Sequence, residues 1–393
     1  MKGSARRKLG QQNFMEQVRE CRNKGCPLSP RKISSGTFSK VDLASASRER
    51  TQHNAKLASD LRAKRRAMVA IKIISTAEAP VEFSQKFLPR EISSLNATYE
   101  HLNVVQLYET YQGCRCSYLV LELAARGDLL QHIDWVSEQR CSPGLGEQGA
   151  RGLCWQLVSA VAHCRGSGIA LRDLKCENIL LGDRGLLKLT DFGFASQPGF
   201  NSSLLSTFCG SVAYTAPEFL LSKKYNREQA DLWSLGIILY AMVTGKLPFK
   251  ERQPHHMLHQ MRRGPTLRPG MSPEYQDLIR GLLQLRPCAR LGLQQVATHC
   301  WMLPVTRMPF GTMLRMPPGK PAKLEHTEPG RDSEPPEPLR QCPQQRGPHL
   351  ESAFRQPPEP PEPTEAGSRG GTGSAQLGLW SMRPGSLGVG ASR

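Results

Sequence analysis

The chain of 393 residues lacks the signals that would make it an exported, membrane-spanning or zinc-built protein. Its 12 cysteines form no C-x-x-C pair, and His and Cys never cluster at zinc-ligand spacing, so neither a disulfide frame nor a structural metal is expected. The basic amino terminus has no apolar core of signal-peptide length. The longest apolar run, Leu235 to Val243 with one glycine inside, is too short to cross a bilayer, so no membrane partner is expected. Free thiols without an export signal point to the cytoplasm, with the nucleus as a second compartment. No segment has the pattern of a nucleic-acid-binding module, so nucleic acid is not expected as a partner.

Acids are the scarce charge. There are 34 Asp and Glu against 52 Lys and Arg, a formal net charge of +18. The excess gathers in two short stretches, residues 1–26 and 45–68, each with seven bases and two acids. Clusters such as Arg6-Arg7-Lys8 and Lys64-Arg65-Arg66 suit an anionic partner, but a solvated, mobile basic segment is the favoured reading. More than half of the 30 prolines lie beyond Leu303, where apolar side chains are sparse. Residues 305–393 cannot bury enough surface to offset ordering entropy and are expected to form a disordered, Pro-rich tail.

What is present lies between those flanks. Leu171-Arg172-Asp173-Leu174-Lys175-Cys176-Glu177-Asn178 matches the catalytic loop H-R-D-L-x-x-x-N except at its first position. Asp191-Phe192-Gly193 follows thirteen residues after Asn178, then Ala216-Pro217-Glu218, while Val69-Ala70-Ile71-Lys72 lies upstream. In this order and spacing the segments resemble those of protein kinases from Pro27 to Pro304. The Asp-Leu-Lys-Cys-Glu-Asn and Thr-Phe-Cys-Gly-Ser-Val-Ala-Tyr stretches look most like the testis-specific serine/threonine kinases of the calcium/calmodulin-dependent group. The resemblance implies an α+β bilobal fold, with a small β-rich lobe, a larger helical lobe, and ATP in the cleft between them. It also implies a magnesium requirement, Ser/Thr protein substrates, and a role in spermatid development in male germ cells.

Phosphoryl transfer asks a protein for positioning and for neutralisation of spreading negative charge. Lys72 is the cation for the α and β phosphates, held by Glu91 on the following helix. Asp191 and Asn178 offer hard oxygen ligands for magnesium. Asp173 is the catalytic base and Lys175 neutralises the γ-phosphate. Glu122, Leu123 and Ala124 form the hinge between lobes. Ile33, Ser34, Gly36, Val41, Ala70, Leu180 and Asp128 complete the nucleotide site that the resemblance implies. Asp128 has two readings, the ATP ribose or an arginine of the substrate, whereas Glu177 is assigned to substrate arginine and a basophilic preference.

Three departures stand out. Only Gly36 survives of the loop pattern G-x-G-x-x-G-x-V, with Ser34 and Ser39 at the other glycine positions. Leu171 replaces His, either as an apolar filler beside Phe192, Leu95 and Leu107, with Asp231 below, or as a mark of decay. Val41 and Lys72 are 31 residues apart, about twice the usual spacing. The surplus, residues 45–68, is expected to protrude as a disordered or partner-binding loop or short helix. Regulation is read at Arg172, which can bind a phosphate on the segment after Asp191. Thr207, eleven residues before Glu218, is the first site for it and Ser206 the rival, set there by an upstream activating kinase. Glu218 is expected to pair with Arg290. A contrasting class is a catalytically silent pseudokinase that scaffolds through the insert and tail. Oligomeric state is not legible.

Overall fold

The computed structural model describes residues 2–195, 212–221, 226–250 and 253–303, with side chains from residue 11. Thr207, Ser206 and the Pro-rich stretch 305–393 lie outside the described residues.

The small lobe is one antiparallel sheet and its covers. In chain order it holds α1 (Lys2–Asn23), β1 (Leu28–Ser35), β2 (Ser39–Ser45), α2 (Arg48–His53), α3 (Ala55–Lys64) and β3 (Met68–Ser75). A π-helical turn (Phe83–Phe87) then leads into α4 (Leu88–Ala97), followed by β4 (Leu107–Gln112) and β5 (Cys116–Leu121). Spatial order is β1-β2-β3-β5-β4. Because strand side chains alternate between faces, β3 sends Ala70, Lys72 and Ile74 one way and Val69, Ile71 and Ile73 the other. Ala70 and Ile74 join the main core, whereas Val69, Ile71 and Ile73 join a second cluster.

That second cluster overturns two expectations. Residues 45–68 take the short-helix alternative, as α2 and α3, but do not protrude; the helices are capped by Ser47 accepting from the Arg50 N–H and Asn54 from the Leu57 N–H. Leu57 and Leu61, one turn apart, are buried against the outer face of the sheet with Tyr108, Tyr118 and Val120. Each buried leucine stabilises this packing by about 1.5–3 kcal/mol. Arg50 pairs with Glu109, and the Lys56 ammonium stands 3.5 Å over the Tyr99 ring. Residues 11–26 are likewise not a solvated segment. Cys21 and Cys26 are fully buried in the same cluster, Gln17 donates to Cys116 Sγ at 3.4 Å, and Glu20 accepts from the Cys114 N–H and the Tyr118 hydroxyl. Most of the basic side chains stay at the surface, but Arg50 and Lys64 are drawn into pairs with Glu109 and Glu122.

The large lobe contains α5 (Leu129–Arg140), α6 (Gly146–Gly166), a hairpin of β6 (Ile179–Leu181) and β7 (Leu187–Leu189), α7 (Pro217–Leu220), α8 (Arg227–Thr244), α9 (Pro254–Arg263), α10 (Pro273–Leu282) and α11 (Leu293–Ala297). From Asp231 on, every residue of α8 is buried, which makes it the lobe's central pillar. Gly236 lets α10 come close, since a Cβ there would stand 2.8 Å from Leu283 and 2.9 Å from Leu282. Arg290 and Glu218 form the expected buried pair, bidentate with both bonds at 3.0 Å. Such a pair braces geometry because either partner alone would be a buried, uncompensated charge.

Candidate active site

The catalytic segment leaves α6 and enters β6, pinned from below by α8. Asp231 accepts from the backbone N–H groups of Leu171 at 2.9 Å and Arg172 at 2.8 Å. These two bonds hold Arg172 at φ 68°, a left-handed value that a non-glycine seldom adopts. Burial pushes the Asp231 carboxyl up to about 6, with the two backbone donors pulling the other way. Leu171, buried, joins the same apolar cluster as Phe192, Leu95 and Leu107. Leucine therefore fills the histidine position as apolar packing, and its own backbone supplies the link to Asp231.

Above this floor the polar groups converge. The Asp173 carboxylate accepts from Lys175 Nζ at 2.8 Å and Asn178 Nδ2 at 3.0 Å, and Nδ2 also donates to the Asp173 carbonyl at 2.9 Å. Both donors fix the carboxylate, while burial pushes it above its ordinary range against the pull of Lys175. Across the cleft, Lys72 Nζ lies 2.5 Å from Glu91 Oε1 and 3.5 Å from Asp191 Oδ1. The strand alternation aims Lys72 inward, and helical spacing places Glu91 on the face of α4 that buries Leu88 and Leu95. Burial would lower the Lys72 ammonium, but Asp191 and Glu91 outweigh it, so the lysine stays charged. Lys72 in turn holds the Asp191 carboxyl below its ordinary value. Asp191 also adopts a left-handed φ of 62°, so two non-glycine residues of this cleft are strained.

The comparisons with known proteins agree with this geometry. The protein kinase domain family matches residues 53–302. Testis-specific serine/threonine-protein kinase 5 of Mus musculus is 67% identical over 342 residues, which is 85% of this chain and 91% of the relative. Testis-specific serine/threonine-protein kinase 3 is 39% identical over 274 residues in Mus musculus and 38% over 276 in Homo sapiens, each covering 69% of this chain and 93% of the relative.

The chain belongs to the protein kinases, among the testis-specific serine/threonine-protein kinases.

In this kinase the phosphate loop keeps its turn through Gly36, whose N–H donates to the Ser39 carbonyl at 2.7 Å. Ser34 pairs with Val41 across β1 and β2. The loop tip is held by aromatic rings instead of further glycines. Phe38 packs on Phe83, Phe83 on Phe87, and Phe87 edge-on against Phe194, with centroids 5.4–5.9 Å apart. This chain of rings links the loop, the start of α4 and the segment after Gly193, and its i, i+4 pair Phe83/Phe87 was the one local signal for it. Ile33 of β1 is 43% exposed, while Ala70 is buried and Val41 and Leu180 pack against the core. Asp128 caps α5 by accepting from the Gln131 N–H at 2.9 Å and bridges to Leu180, a structural role that its sequence did not announce.

Glu122 follows directly on β5. Its side chain turns away from the cleft into a buried cluster, with Lys64 Nζ at 2.6 Å and Lys188 Nζ at 2.7 Å from Oε1. Neither lysine was foreseen, since they lie 58 and 66 residues from Glu122 in sequence. Burial raises the Glu177 carboxyl, against the pull of a backbone donor, of Lys175 and of the Tyr214 side chain. Arg172 does not stand alone, because Arg90 of α4 and Arg227 lie close enough for mutual repulsion. Burial first, then Arg172 and Arg227, holds the Arg90 guanidinium below its ordinary value.

Proposed function

We propose that this kinase is catalytically active and transfers the γ-phosphate of ATP to Ser or Thr of protein substrates. The observation that carries the reading is the assembled cleft: Lys72 set between Glu91 and Asp191, facing Asp173 with Lys175 and Asn178 bonded to it. A pseudokinase has no need to keep six convergent charged or amide groups in one place, two of them beside strained backbone.

The donor set fits magnesium. Asp191 is held ionised by Lys72, and Asn178 commits its Nδ2 to Asp173, which leaves the amide oxygen as a ligand atom. When bound, the ion neutralises phosphate charge. The remaining work falls to this chain. Lys72 binds the α and β phosphates, Asp173 takes the hydrogen bond of the attacking hydroxyl, and Lys175 offers a cation on the γ-phosphate side. The aromatic chain ending at Phe38 keeps the loop over the cleft despite its lost glycines.

Specificity and control follow from neighbouring groups. The half-buried Glu177 carboxylate in the catalytic loop supports a preference for arginine ahead of the target residue, because a guanidinium would pair with it by a charge-assisted bond. The gathering of Arg90, Arg172 and Arg227 supports control by a phosphate on Thr207, placed by an upstream kinase. The names of the relatives support a role in male germ cells. The test is transfer from ATP-Mg to a generic basic Ser peptide. Wild type is expected to transfer and Asp191→Asn to fall to background. An inactive wild type, phosphorylated on Thr207 or not, overturns the reading.

A further inference from the structure

The end of the insert reaches the hinge. Within α3, Lys64 Nζ lies 2.8 Å from Asp60 Oδ2 and 2.6 Å from Glu122 Oε1. Asp60 is itself tied to the sheet through the Tyr108 hydroxyl of β4. On the other side of Glu122 stands Lys188 of β7, which belongs to the large lobe. The Glu122 carboxylate, with only 2% of its side chain exposed, also accepts from the Gln106 N–H at 3.2 Å, and its own N–H donates to the Gln106 carbonyl at 2.9 Å. Two residues beyond Lys64, Arg66 reaches Asp183 of the β6–β7 turn at 3.3 Å. A single carboxylate at the start of the hinge is thus gripped by one cation from each lobe, and the cation on the small-lobe side comes from the segment that separates β2 from β3.

We infer that Lys64 is a positioning residue for nucleotide binding, acting through Glu122 to set the hinge backbone against which ATP docks. This rests on the kinase reading above. The contact is worth more than an ordinary surface pair, because Glu122 is buried and Lys64 has 26% of its side chain exposed. The Arg66–Asp183 contact, at 55% and 40% exposure, adds little on its own. Lys188 grips the same oxygen from the other side, at 2.7 Å. Removing Lys64 leaves the carboxylate without a small-lobe cation, held on that side by the Gln106 N–H alone against Lys188 of the large lobe, so the hinge is held less firmly relative to the sheet that carries Lys72 and the phosphate loop. Weaker nucleotide binding with little change in chemistry is the signature of that loss, because the catalytic groups themselves stay in place.

The experiment uses the full chain and a fluorescent ATP analogue with magnesium, alongside KM for ATP, kcat and thermal stability. Lys64→Met is expected to raise the analogue Kd and the ATP KM together by about 3- to 10-fold, with kcat changed less than about twofold. Lys64→Arg should restore wild-type binding. In a Glu122→Gln background, Lys64→Met should add less than about twofold, as expected for partners in one interaction. An unchanged Kd in Lys64→Met overturns the inference. So does a loss that persists in Lys64→Arg, a loss of full size in the Glu122→Gln background, or a fall in thermal stability with no change in Kd. A wild type that binds the analogue but transfers no phosphate would overturn the activity reading, while the Kd series still decides the role of Lys64. A wild type that binds no nucleotide overturns both.

Discussion

Leu171 offers a sharp test of how the site is built, because it occupies a position where the motif has histidine. It is 6% exposed and shares a buried cluster with Phe192, Leu95 and Leu107, while its N–H bonds Asp231 at 2.9 Å. The side chain acts by packing and the backbone by hydrogen bonding, so the two roles separate on mutation. Leu171→Ala keeps the backbone bond and opens a cavity, a change that costs about 2–5 kcal/mol in packed cores. At roughly 2–4 °C for each kcal/mol in a domain of this size, the melting temperature should fall by about 5–15 °C. Activity should also fall below the melting transition, because the buried cluster that holds Phe192, the residue after Asp191, is loosened. Leu171→Met conserves volume and should cost less than about 1.5 kcal/mol while keeping activity. Leu171→His places ring nitrogens among apolar side chains and should destabilise by about 1–3 kcal/mol if they stay unpaired. Calorimetry and a peptide transfer assay on the three variants decide it. The packing account is refuted if Leu171→Ala melts with wild type, if Leu171→Met loses as much as Leu171→Ala, or if Leu171→His is more stable than leucine.

Other expectations follow from charges. Asp231 titrates near 6 when folded against an ordinary 3.8, because burial favours its protonated form. The folded state therefore holds the proton more tightly, so this group's stabilising contribution is complete below about 4 and is lost as pH rises to about 6, on the order of 3 kcal/mol in all. Unfolding free energies of wild type and Asp231→Asn should diverge over that window, the variant gaining relative to wild type as pH rises; parallel curves would contradict the assignment. Thr207→Ala should be strongly impaired and Thr207→Asp partly restored, measured as transfer after mapping phosphate by mass spectrometry, whereas full activity in Thr207→Ala would remove the regulatory role. A positional-scanning peptide array should show preference for Arg two or three residues before the target, weakened in Glu177→Gln, and an identical profile in that variant would count against Glu177 as the reader.

The catalytic floor was legible because phosphoryl transfer demands particular side chains at fixed chain offsets. Asp173, Lys175, Asn178 and Asp191 meet in space as their motifs require, and Glu91 was found from its 19-residue offset from Lys72 within a helical pattern. Leu171, Asp231, Glu218 and Arg290 also fell where the sequence reading put them. The small lobe's outer face was misread, since dense Lys and Arg were taken as solvation. The counter-signals were present. Val69, Ile71 and Ile73 make β3 apolar on the side away from Lys72, which requires a cover, and Leu57 and Leu61 stand one helical turn apart to supply it. The side chain of Glu122 could not be read, because its partners come from an insert and a distant hairpin, and nothing local in sequence links them.

The central claim is that the convergent groups of the cleft perform transfer, with Lys72 as the phosphate cation between Glu91 and Asp191. Lys72→Met tests it most directly, since methionine keeps most of the side chain's length and removes only its charge. The measurement is steady-state transfer to a basic Ser peptide, with circular dichroism and melting to show that the variant is folded. The account predicts a folded variant with less than about a tenth of wild-type transfer, because the lost charge lies where the transition state spreads its own. A folded Lys72→Met protein that still transfers phosphate at the wild-type rate would contradict it.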